Sequence, residues 1–170
     1  GRSGLGSGRG DGAGAGHRLV GNMLNDNKTH GIAIDVINAK PDNRSYILDN
    51  RVFRNGYHGM EINGSWYVIE GNTVYENGQT ISGISGIHLF SREAAQDAGD
   101  HNVIRYNISY GNIEKTGQDG NGIQVDQWCD DNPISFNTVI GNDGAGINVF
   151  VSMRNTVINT TIFHNMRDPV

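Results

Sequence analysis

Five side chains suited to acid–base or metal chemistry, those of Asp35, His58, Glu61, His88 and Asp126, recur in phase with one short pattern. That pattern is Gly-apolar-x-apolar-x. It reads Gly31-Ile-Ala-Ile-Asp35, Gly59-Met-Glu-Ile-Asn63, Gly86-Ile-His-Leu-Phe90, Gly122-Ile-Gln-Val-Asp126 and Gly146-Ile-Asn-Val-Phe150. A period of two belongs to a β-strand, so both x positions face away from the apolar pair. Ala33, Glu61, His88, Gln124 and Asn148 hold the first x position, and Asp35 and Asp126 the second. His58 stands just before its glycine, as does His30 in the preceding copy. Parallel stacking of these strands would bring the five residues into one patch, with neighbours about 4.8 Å apart.

Such a patch supports several chemistries. A carboxylate beside a histidine serves as general acid or base when its surroundings tune its pKa, which makes Glu61, His88, His58 and Asp126 the catalytic candidates. Glu61 with Asp35 or Asp126 could flank a glycosidic bond as a hydrolase pair. Asp35, Glu61 and Asp126 are also hard oxygen ligands that could hold Ca²⁺, and His58, Glu61 and His88 form a zinc-type donor set. Asp35, Gln124, Asn148, Arg92, Trp66 and Trp128 are the substrate-binding candidates. The two tryptophans follow outward strands and either stack on sugar rings or cover a loop. The plainer reading of the whole patch is a solvated polar sheet face.

The elements that position these residues come from a longer repeat. Asn22, Asn50, Asn72, Asn107 and Asn137 recur, with Thr160 in the last copy. Five residues after each come Asn27, Asn55, Asn77, Asn112, Asn142 and Asn165. Three residues before the first of each pair stand Leu19, Ile47, Ile69, Ile104, Ile134 and Val157, and two after it Leu24, Val52, Val74, Ser109, Val139 and Ile162. A unit of this size cannot bury its apolar face alone, and stacking like on like does so. Asparagine suits the corners because it tolerates left-handed backbone and bonds along a stack. The stretch from the glycine to the next first asparagine is longest after Gly31 and Gly86, which places loops near 36–45 and 91–101 beside Glu61. Two such loops would wall a groove.

The expected fold is all-β: a right-handed parallel β-helix, a single solenoid of about six rungs, over residues 17–170. Residues 1–16, with glycine at every even position from Gly4 to Gly16, read as a flexible or extended lead-in. That lead-in contains Arg9-Gly10-Asp11, a tripeptide of integrin-binding loops. The last repeat ends without a capping helix, so the chain reads as a fragment of a longer solenoid or as a module that stacks end to end.

Composition narrows the partners. Net charge is −5 and no basic run occurs, which argues against nucleic acid. No apolar run is long enough to span a membrane, and the single Cys129 forms no internal disulfide.

These columns resemble the right-handed parallel β-helix repeats of the pectate-lyase-like superfamily, with its carbohydrate-binding and sugar-hydrolase repeats. The resemblance implies a secreted or cell-surface protein that binds or modifies a polysaccharide along its groove as a lyase, epimerase or hydrolase, with calcium as a candidate cofactor. β-Helix lyases add a Lys or Arg base, for which only the loop residues Lys28, Arg92 and Lys115 are placed. The Asp-Pro-His-Glu motif of mannuronan epimerases and the Asn-Thr-Asp and Gly-His-Gly motifs of polygalacturonases are absent. The alternative is a structural, adhesive or self-assembling β-helix module without catalytic activity.

Overall fold

The computed structural model describes residues 3–7, 15–35, 38–116 and 118–166. Short strands follow one another in a fixed three-sheet order. The first two turns are β1 (Leu5–Ser7), β2 (Arg18–Val20), β3 (Met23–Asn25), β4 (Ile32–Asp35), β5 (Ser45–Leu48) and β6 (Arg51–Phe53). The middle turns are β7 (Met60–Asn63), β8 (Tyr67–Glu70), β9 (Thr73–Tyr75), β10 (Ser85–Leu89), β11 (Val103–Arg105) and β12 (Ile108–Tyr110). The last turns are β13 (Asn121–Val125), β14 (Pro133–Ser135), β15 (Thr138–Ile140), β16 (Ile147–Val149), β17 (Thr156–Ile158) and β18 (Thr161–Phe163). Every third strand pairs in parallel, giving sheet 1 (β1-β4-β7-β10-β13-β16), sheet 2 (β2-β5-β8-β11-β14-β17) and sheet 3 (β3-β6-β9-β12-β15-β18). The architecture is six turns of a right-handed parallel β-helix.

The core consists of like residues in columns. Ile32, Met60, Ile87 and Ile123 line sheet 1, Ile47, Ile69, Ile104 and Ile134 line sheet 2, and all are fully buried. Val52, Val74 and Val139 line sheet 3, where Ser109 interrupts the column. The Ser109 hydroxyl satisfies itself by donating to the Gly122 carbonyl at 2.8 Å. A buried hydroxyl is tolerated only with such a partner.

Two asparagine ladders run along the corners beside sheet 3. In the first, each side-chain amide donates to the next residue's Oδ1, from Asn22 through Asn50, Asn72 and Asn107 to Asn137, over 2.9–3.0 Å. The second runs from Asn27 through Asn55, Asn77, Asn112 and Asn142 to Asn165 over 2.8–3.1 Å. Left-handed backbone, expected at the asparagines, falls instead on the residue before each: Gly21, Asp49, Gly71, Tyr106 and Phe136 before the first ladder. The asparagine itself supplies hydrogen bonds. A third, shorter ladder joins Asn102, Asn132 and Asn155 where sheet 1 turns into sheet 2, and it has no counterpart among the expected columns.

The repeated glycines mark close approach. A Cβ on Gly59 would meet Val74 Cγ1 at 2.5 Å, the Gly86 carbonyl at 2.7 Å and Asn77 Nδ2 at 2.8 Å. Gly4 occupies the same place two turns earlier, and Leu5 pairs with Ile32. Residues 5–7 of the lead-in are therefore a strand of sheet 1. Residues 8–14, including Arg9-Gly10-Asp11, lie outside the described residues. In the last turn Val157 and Ile162, which continue the core columns, and the outward Ile158 and Phe163 are all more than two-fifths accessible.

Candidate functional site

The outward face of sheet 1 carries the expected column in the expected register. Ala33 pairs with Glu61, Glu61 with His88, His88 with Gln124 and Gln124 with Asn148. The two insertions stand along one side of it. Asn38 donates to the carbonyl of Asp97 at 2.9 Å and accepts from the Ser65 amide at 3.0 Å, so the loops meet across the turn that carries Glu61. The second loop includes a short 3-10 helix, Ala94–Gln96. Arg92, at its start, reaches back to Asp35 at 2.7 Å. Asn63 is buried beneath this loop and donates to Phe90 O and Gln96 Oε1.

Within the groove, His30, His58 and His88 form a column of imidazoles. His30 and His58 stack with centroids 5.5 Å apart, and His58 and His88 at 4.4 Å. Phe90 closes the stack on His88 at 5.3 Å and Tyr57 meets His30 edge-on. His30 Nε2 lies 3.1 Å from Glu61 Oε2, and His88 Nε2 lies 3.3 Å from Asp126 Oδ2. His58 Nδ1 accepts the Ser85 amide at 2.9 Å. Gln124 Oε1 accepts from Ser85 Oγ at 2.9 Å and from Asn121 Nδ2 at 2.6 Å, which fixes the next floor position. Asn148 ends the floor, half-buried.

Burial sets the charge states. It lowers the His30 pKa to about 4, helped by His88, and holds His58 well below the usual histidine range, helped by His88 and His30. Both rings are therefore neutral near pH 7. Burial pushes the Glu61 carboxyl up, against the pull of His88 and Arg92. The His30–Glu61 contact is thus a neutral imidazole N–H facing a carboxylate that resists ionisation. Among the described residues, two buried nitrogens, His30 Nδ1 and His88 Nδ1, have no hydrogen-bond partner.

Not every candidate joins this cluster. Asp35 and Asp126 occupy one column but lie three strand spacings apart, roughly 14 Å. With Ca²⁺–oxygen distances of about 2.3–2.6 Å, the trio Asp35, Glu61 and Asp126 cannot surround one calcium ion. Asp35 instead pairs with Arg92 and Asp126 with His88. Trp66 sits at the corner leading into sheet 2, packed between Arg44 and His101. It covers the solenoid rather than lining the floor. Trp128 is exposed on the loop after β13, in a left-handed conformation. Lys115 donates to the Gln79 carbonyl at 2.6 Å. His30 is the site residue that the candidates above omit. Its signal was its place in the column before the glycine, shared with His58.

The family described as right handed beta helix region matches residues 13–167. The chain belongs to the right-handed β-helix family. No curated protein and no solved structure matches it. Membership in this β-helix family accounts for the three sheets and the stacked columns, while function must be argued from the groove itself. Among the described residues no helix is long and apolar enough to cross a membrane.

Proposed function

We propose that this β-helix binds a polysaccharide along sheet 1 and modifies it at Glu61 and His88, outside the cell or at its surface. The observation that carries the reading is the grouping of Glu61 with three imidazoles on the floor of a groove walled by two joined loops. A solenoid groove and a polymer share one-dimensional repetition, so successive floor residues can meet successive sugars. Glu61, its pKa raised by burial, is the general acid. His88, oriented by Asp126, is the base. Arg92, beside Asp35 at the groove wall, is the cation available to an acidic sugar.

The test is incubation with a panel of acidic and neutral polysaccharides, with and without divalent cations, followed by proton NMR. Unsaturated ends report elimination, reducing ends report hydrolysis and altered anomeric couplings report epimerisation. Glu61→Gln is expected to lower the rate by about a hundredfold or more. An unchanged polymer under every condition would remove the enzymatic reading.

A structural or adhesive module is the second reading. It is favoured by the regular stacking of like apolar residues along the three sheets. Concentration-dependent end-to-end assembly, measured by light scattering, would support it.

A further inference from the structure

The imidazole stack holds an arrangement that acid–base chemistry alone does not use. His58, Glu61 and His88 each offer a ligand atom, and these atoms lie within 4.8 Å of one another. We propose that His58, Glu61 and His88 bind a divalent transition-metal cation of the Zn²⁺ class. The inference stands on this cluster and does not rest on the polysaccharide reading.

The donor set points to that class. Two nitrogens and one carboxylate oxygen suit Zn²⁺ and its neighbours rather than Ca²⁺ or Mg²⁺, which prefer oxygen alone. Three protein ligands leave a fourth position for water or a substrate oxygen. In tetrahedral coordination at about 2.0–2.1 Å, ligand atoms stand closer together than they do in this cluster. The His58 and His88 rings stack at 4.4 Å, so coordination requires them to turn out of that stack until both in-plane lone pairs face one ion.

His88 is the best prepared ligand. A proton on Nε2 directed at Asp126 leaves the lone pair on Nδ1, the buried nitrogen that has no partner. A carboxylate behind a histidine, with the other nitrogen open, is the arrangement that orients imidazole ligands. Burial also keeps His58 in the neutral form that ligates, and a cation offsets the charge that burial makes costly at Glu61.

His58 adds a specific consequence. Its Nδ1 holds the Ser85 amide, so the ring proton is on Nε2. If Nδ1 takes the cation, the amide is displaced directly. If Nε2 takes it, the proton moves to Nδ1 and displaces the amide there. Either route couples cation binding to the Ser85 N–H. With the cation in place Glu61 and His88 serve as ligands, so the acid–base roles proposed above belong to the cation-free chain.

The experiment is titration of the chelator-stripped full chain with Zn²⁺ and Co²⁺, with no polymer present. One equivalent is expected to bind, with the visible absorption of four-coordinate Co²⁺ and a displaced Ser85 amide resonance. Glu61→Gln and His88→Gln should each weaken binding by tenfold or more, and Asp126→Asn by about tenfold. His164→Gln, far along the chain at the last turn, should bind as the parent does. Because His58 is buried and its removal endangers folding, Glu61 and His88 carry the test. Failure of the folded parent to bind one equivalent would overturn the inference. So would binding undiminished in both Glu61→Gln and His88→Gln. The NMR assay on polymers reads the polysaccharide proposal separately, so either can fail alone.

Discussion

Two kinds of polar column run along this solenoid, and they behave oppositely. The asparagine ladders repeat one residue type, and each interior member is bonded to the turns on either side of it. The floor of sheet 1 reads Ala33, Glu61, His88, Gln124 and Asn148, no two alike. On this floor and beside it, two buried imidazole nitrogens, His88 Nδ1 and His30 Nδ1, lack partners among the described residues. A stack of identical side chains can satisfy itself because each donor finds the acceptor of the next turn. A mixed stack cannot, and the surplus donors and acceptors are available to a ligand. Uniformity along a column therefore signals structure, and heterogeneity signals a site.

The largest effect expected from this contrast is in the ladder. Asn77 bridges Asn55, Asn112 and the Val52 carbonyl while fully buried. Asn77→Ala strands several buried groups and should cost more than about 3 kcal/mol, or roughly 10 °C in Tm. Asn165→Ala, at the half-exposed end of the same ladder, should cost less than half of that. Equal losses at the two positions, measured by thermal melting, would break the account of the ladder as mutual satisfaction.

A smaller effect of opposite kind belongs to the floor. Glu61→Gln keeps the shape and removes a partly buried charge, so the melting temperature at pH 8 should stay level or rise. Loss of polymer modification without loss of stability is the signature of a residue placed for function. A drop as large as that of Asn77→Ala would move Glu61 into the structural class.

The smallest effect concerns a column of like charges near the third corner. Asp100 accepts the Asp130 amide at 2.6 Å, and its pKa is raised to about 6, chiefly by burial and then by neighbouring Asp97 and Asp130. A raised carboxyl favours the fold while protonated. That contribution is full below its ordinary value near 3.8 and is lost as pH rises through about 6. Asp100→Asn retains the acceptor without the charge. It should raise the Tm by a few degrees at pH 8 and by nothing below about pH 4. A uniform gain at both pH values would point to packing instead of charge.

Much of the site was legible because a strand has period two and stacking places like on like. Once Gly31, Gly59, Gly86 and Gly122 were aligned, Glu61 had to neighbour His88, and both had to face outward. The same alignment held His30 beside His58, but a column position does not reveal which atoms touch. Trp66 stayed between two readings, groove wall or loop cover, for the complementary reason. Its spacing after β7 suits either, and the left-handed turn there packs the ring against Arg44 and His101, which makes it a cover. The same local turn chemistry was assigned to the asparagines when it belonged to the residues before them.

The sequence by itself determined a solenoid of about six turns and the members of the glycine, apolar and paired-asparagine columns. These follow from periodicity, which is a local property summed along the chain. Only the tertiary structure decided that Leu5–Ser7 joins sheet 1, that the loops at 38 and 97 meet, that Arg92 crosses to Asp35, and that Asp35 and Asp126 stand too far apart to share an ion. It alone decided which nitrogens of the three imidazoles are left without partners. Those outcomes depend on contacts between residues distant in the chain, where packing and desolvation, rather than period, fix each side chain.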